Sequence, residues 1–171
     1  MNNINPSFEE AIDLAILWCD LWEKEELSNE VLADKISDLI SSKNGARAFF
    51  AVSLASNCPL MDRIPEEVVF KLNQSIEIVV DLIVKNLAMS TAMSIHHNRR
   101  KNNEVKESSE KVLLRCIDLL RLLDSKMVDL RVRKMLDGTI GIGEDSTFLK
   151  KWNYDEEQKE AISSNLRLIA E

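Results

Sequence analysis

The run His96-His97-Asn98-Arg99-Arg100-Lys101 holds the residue types with the widest chemistry in this chain. Arginine presents a planar fork of donors to carboxylates and phosphates, so Arg99 and Arg100 suit an anion or an acidic protein partner. His96 or His97 would serve as acid/base if a carboxylate such as Glu77, Asp81 or Asp118 reached it. Neighbouring helical positions point about 100° apart, so the two rings do not share one metal. No H-x-x-x-H pair and no E-x-x-H motif accompanies them, and no cofactor is implied. Upstream, Lys85 and Asn86 would face a ligand if the helix carried a polar groove. The candidate binding residues are therefore Lys85, His96, His97, Arg99 and Arg100, with no catalytic and no metal-ligating set. A plainer role competes: cations at the end of a helix meet its negative pole, worth roughly 0.3–1 kcal/mol each.

Other chemistry-bearing residues point to structure. Cys19, Cys58 and Cys116 are widely spaced, odd in number and set among apolar neighbours, which reads as reduced core thiols in a cytoplasmic protein. The segment Gly138-Thr139-Ile140-Gly141-Ile142-Gly143 has the wrong order for a dinucleotide fingerprint and no lysine for a phosphate loop, so 137–145 is expected to be a flexible connector. Arg47-Ala48-Phe49-Phe50-Ala51-Val52 is too apolar to read base edges.

These side chains require helices to position them. The four glycines and three prolines are too few for a β-sandwich, and 45% apolar residues are too many for a disordered chain. Ser7 and Glu10 form a capping box for a helix over about 8–26. Ser28 opens a second, to about 42, and Asn44-Gly45 reads as its left-handed stop. Residues 46–56 form an apolar third helix that Asn57-Cys58-Pro59 ends. Pro65 begins a short helix, and long ones follow over about 75–102 and 108–136, the latter breaking near Asp124-Ser125. Asp145 or Ser146 caps a short helix, and Asp155 with Gln158 caps the last, about 156–170. The expectation is an all-α, single-domain irregular bundle of about six to nine helices around 46–56 and 75–95.

Ile76 to Ile95 is the most apolar stretch, but Glu77, Asp81, Lys85 and Asn86 interrupt it, so a buried protein helix is expected rather than a bilayer span. The start, Met1-Asn2-Asn3-Ile4-Asn5-Pro6, has neither the basic nor the apolar region of a secretory signal. Net charge is −7, divided as −7 over residues 1–74, +4 over 75–136 and −4 over 137–171. An acidic chain with one basic central section is no general nucleic-acid binder.

The run Val84-Lys85-Asn86-Leu87-Ala88-Met89-Ser90-Thr91-Ala92-Met93, with Arg47-Ala48-Phe49-Phe50 and Trp152-Asn153-Tyr154-Asp155, resembles small uncharacterised all-helical cyanobacterial proteins. That resemblance implies an intracellular helical protein and brings no activity, cofactor or site. Three functions stay open. The first is a non-enzymatic adaptor or regulatory protein, using the face near Arg99 and Arg100 or the Trp152–Tyr154 region. The second is a small-ligand or anion-binding domain. The third is an enzyme with a histidine acid/base. A protein partner, acidic in character, or self-association into a homo-oligomer would suit the first.

Overall fold

Short polar side chains set where the helices begin. In the computed structural model, which describes residues 5–170, the Ser7 hydroxyl accepts from the Glu10 amide at 3.2 Å while Glu10 accepts from the Ser7 amide at 2.8 Å. This box opens α1, Phe8–Glu23. Ser28 accepts from Val31 N at 3.3 Å to open α2, Asn29–Ile40, and Ser42 accepts from Gly45 N at 3.0 Å to open α3, Lys43–Ala55. A 3₁₀ turn, Pro59–Asp62, leads to α4, Glu66–Gln74, whose N-cap is Pro65. The longest helix, α5, covers Ile76–Arg99. Asn102 caps α6, Asn103–Leu122, and Asp124 caps α7, Ser125–Thr139, by accepting from Met127 N at 3.0 Å. Then come α8, Glu144–Lys151, and α9, Glu156–Ala170. The architecture is all-α, with nine α-helices among the described residues. Of residues 1–6, which carry the reading against a secretory signal, 1–4 lie outside the described residues.

Several boundaries differ from the sequence reading, among them the start of α8, whose N-cap is Gly143 rather than Asp145 or Ser146. Gly45 does not stop α2; it lies buried in the first turn of α3. A Cβ there would sit 1.9 Å from the Leu39 carbonyl oxygen, so glycine serves a close backbone approach rather than a left-handed turn. α6 starts at Asn103 rather than 108, because the Asn102 side chain caps it. Within 137–145, residues 137–139 are the last turn of α7, and only 140–143 separate α7 from α8. Gly138 is buried there, and a Cβ on it would meet Asp145 Cβ at 2.6 Å.

Four helices end on a residue with positive φ: Glu25 (60°), Lys101 (55°), Asn153 (54°) and Gly141 (89°). In each, the amide after that residue reaches back five positions, as Asn102 N does to the His97 carbonyl at 3.0 Å and Glu26 N to Leu21 at 2.8 Å. Only one of the four uses glycine.

The described residues fall into two compact units, divided between Leu82 and Ile83, inside α5. In the first unit α1 packs on α3, and α2 packs on α3 and α4. Ala11, Ala15, Ala46 and Ala48 are fully buried, and such small side chains let helices approach closely. Phe49 and Phe50 meet edge to face at 5.0 Å. In the second unit α7 packs on α8 and α9, and α6 packs on α9. Cys116, Val132, Met135, Ile162 and Leu166 form its interior with the buried face of α5, where Ile83, Val84, Leu87, Ala88 and Ala92 are fully enclosed. By length and composition alone, α5 is the one helix among the described residues that could cross a membrane, and half of its most apolar window is buried within the protein.

Candidate functional site

The small-residue segment of α5 decides how the basic run is presented. The Ser90 hydroxyl donates to the Leu87 carbonyl at 3.2 Å and Thr91 donates to the same oxygen at 2.8 Å, so both hydroxyls are satisfied locally. This frees the face for packing. Two side-chain amides join α9 to it: Gln158 Nε2 donates to the Ala92 carbonyl at 3.1 Å, and Asn165 Nδ2 donates to Thr91 Oγ1 at 3.1 Å. On the α6 side Ser94 donates to Glu110 Oε1 at 3.3 Å. The segment is a packing surface with polar cross-links.

One helical turn further on, Arg99 reaches the start of α9. Its Nη1 donates to Asp155 Oδ2 at 2.7 Å, and its Nη2 donates to Asp155 Oδ1 at 3.3 Å and to Glu157 Oε2. Asp155 is already the N-cap of α9: it accepts from Gln158 N at 3.0 Å while Gln158 accepts from Asp155 N at 3.0 Å. The guanidinium, followed by the Gln158 amide, holds the Asp155 carboxyl below the usual carboxylate range. Those two carboxylates in turn hold Arg99 firmly protonated. Arg99 is thus an organiser of this corner, with its fork occupied.

Arg100 and Lys101 follow on the exposed end of the helix. His96 and His97 are half-buried, their rings edge to face at 5.5 Å. Lys85 lies eleven residues before His96 on the same helix, roughly 16 Å along its axis. Its ammonium sits 5.9 Å from the Phe148 ring centre, on α8. The structure therefore gathers His96, His97, Arg99 and Arg100 and leaves Lys85 apart. Glu77 and Asp81 share α5 with the histidines at more than 20 Å of helix. Asp118 lies eight residues beyond Glu110 along α6, roughly 12 Å further from the Ser94 contact.

The second region named from sequence adjoins the first. Trp152, the C-cap of α8, is half-exposed, with Lys151 Nζ 5.9 Å from its ring centre. Asn153 takes the left-handed position after it, and burial pushes the Tyr154 hydroxyl up to about 12. Asp155 then turns to Arg99. The α5 terminus and the α8–α9 junction are one neighbourhood, pinned by that ion pair.

Sequence reasoning missed several contacts. Arg131 forms a two-pronged pair with Asp145, at 2.7 and 2.9 Å, both side chains nearly buried between α7 and α8. Cys58 Sγ lies 3.7 Å from the Cys19 carbonyl. Burial, then the neighbouring Cys58, pushes the Cys19 thiol up to about 12, and burial raises Cys116 as well, so both are unreactive thiols at neutral pH. Among the described residues, no group of three His, Cys, Asp or Glu side chains is placed to hold a metal ion. A cleft of about 430 Å³ opens between α6, α7 and α9, with Arg121 and Lys126 on its rim and Leu123, Val128 and Val132 in its wall. Arg121 Nη2 there donates to the Leu168 carbonyl at 3.1 Å.

Neither a curated protein nor a solved structure matches the chain. A family model described as "Uncharacterised conserved protein UCP020893" matches residues 7–169, nearly the full length, and the chain belongs to that family.

Proposed function

We propose that this is a non-enzymatic interaction protein of the cytoplasm, an adaptor or regulatory subunit, and that it offers the corner formed by the end of α5 and the α8–α9 junction to an acidic protein partner. The observation that carries this reading is the Arg99 fork on Asp155 and Glu157. It consumes the best anion-binding group of the basic run and joins the α5 end, where Arg100 and Lys101 are exposed, to the α8–α9 junction, where Trp152 is half-exposed. A large half-exposed aromatic ring and exposed cations on one corner are the composition of an interface anchor. A small-ligand pocket would instead need Lys85 to converge with His96 across roughly 16 Å. Three thiols held inside the fold support a reducing compartment.

The test is affinity purification from the source cell with wild type and with Trp152→Ala/Arg100→Glu, the two forms matched for helicity and melting temperature. A stoichiometric acidic partner recovered with wild type and lost with the variant supports the reading. Equal recovery with both forms, or no partner with either, overturns it. Arg99 is left intact, since its replacement would disturb the cap of α9.

A further inference from the structure

Two helices far apart in the sequence carry outward faces of opposite charge. On α1, Glu9, Asp13, Ile16, Leu17, Asp20 and Glu23 fall within an arc of about 120° and are all exposed. Ile16 is 52% and Leu17 48% exposed, an apolar centre ringed by four carboxylates. Residues Phe8–Glu23 include no basic residue, and the cation just beyond, Lys24, is bonded to Asp20 at 2.8 Å. On α7, Lys126, Leu130, Arg133 and Lys134 share an arc of about 100° and are likewise exposed. Leu130, 50% exposed, is the apolar centre there, ringed by three cations. Two carboxylates accompany them: Asp137 on the same arc, and Asp129, which accepts from Arg133 Nε at 2.9 Å.

We infer that α1 of one copy docks on α7 of a second copy, giving a head-to-tail homo-oligomer. The cationic face, about 12 Å from Lys126 to Lys134, fits within the acidic one, about 21 Å from Glu9 to Glu23. Each has an apolar centre to desolvate, Ile16 with Leu17 on α1 and Leu130 on α7, and the charge rings are of opposite sign. Like faces cannot pair, because α1 on α1 would set eight carboxylates against one another. The contact is therefore heterologous, each copy using one face as donor and the other as acceptor. Two helix faces bury less than the roughly 1,200 Å² of a standard interface, so the association is weak and salt-sensitive. This surface is separate from the Arg100–Trp152 corner, and either can fail alone.

Sedimentation velocity on the full chain tests it, at low and high salt over micromolar concentrations. Wild type is expected to be heavier than a monomer at low salt and to dissociate as salt rises. Asp13→Lys/Glu23→Lys and Lys126→Glu/Lys134→Glu should each be monomeric, with association weakened at least about tenfold. Their mixture is diagnostic. The first variant keeps its α7 face and the second keeps its α1 face, so the two associate when mixed although neither does alone. Circular dichroism shows whether each is folded; if a charge variant is not, Leu130→Gln replaces it and is expected to be monomeric. A monomeric wild type at low salt, variants with the wild-type mass, or a mixture that stays monomeric overturns the inference.

Discussion

At the scale of single residues, the left-handed helix ends give a contrast that isolates two physical effects. Glu25 and Lys101 both occupy positions where an L side chain is strained and glycine is not. Both also follow the negative pole of a helix, where a carboxylate is unfavourable and an ammonium favourable. Glu25→Gly relieves strain and removes the wrong charge, so it should stabilise the protein by about 1 kcal/mol. Lys101→Gly relieves the same strain but discards a helpful charge, and it should be close to neutral. Urea titration of both variants checks the order; equal effects would assign no role to the dipole. The Arg99–Asp155 pair predicts a pH dependence whose sign is fixed. A carboxyl held low in the folded state contributes stability above its unfolded value, near 3.9, and loses it as pH falls through the lower folded value. The stability gap between wild type and Arg99→Gln should therefore be constant from pH 7 to about 5 and shrink below about 4. Cys19 and Tyr154, both raised to about 12, act oppositely, removing stability as pH climbs from about 9 toward 12.

At the scale of elements, the same distinction separates what the chain announces locally from what only packing reveals. Ser7 with Glu10 and Asp155 with Gln158 are caps made by residues three apart, and both were readable because the partner is in the same turn. Gly45 and Gly138 are not turn glycines. Each resembles a turn signal, yet each is required by a neighbour, the Leu39 carbonyl for one and Asp145 for the other. Nothing within a few residues of Arg99 marks Asp155, 56 positions away, as its partner. The basic run was legible as a cluster, but the engagement of its first arginine was not. Element-scale predictions follow from these contacts. Gly138→Ala should cost about 2–3 kcal/mol, since Asp145 Cβ and its backbone cannot withdraw without parting α7 from α8. Asp145→Ala should cost roughly 3 kcal/mol, because it leaves Arg131 nearly buried without its two-pronged carboxylate. Chemical denaturation measures both, and a loss below about 0.5 kcal/mol for either would mean that the α7–α8 packing relaxes freely.

At the scale of the whole molecule, the partition of charge takes on meaning only with the fold. A net −7 says little about partners, but the acidic first section and basic central section each leave an exposed face with an apolar centre. Thiol accessibility gives an independent check on the integrity of the chain. Cys19, Cys58 and Cys116 are buried, so a thiol-reactive aromatic disulfide should label none of them in the native state and all three after unfolding. Rapid labelling of Cys58 alone would show that the connection between α3 and the 3₁₀ turn opens locally.

The position of the division between Leu82 and Ile83, seven residues into α5, has a consequence for amide exchange. Backbone protons near that point lie in the interior of α5, away from both of its ends. Loosening one unit frays α5 from one end only, and the helix remains wound on the other side. Deuterium should therefore enter around Val80 to Val84 later than at either terminus of α5, at a rate set by the loss of both units together. That central stretch would then serve as the molecule's slowest clock, reporting global opening while the rest of the chain reports partial ones.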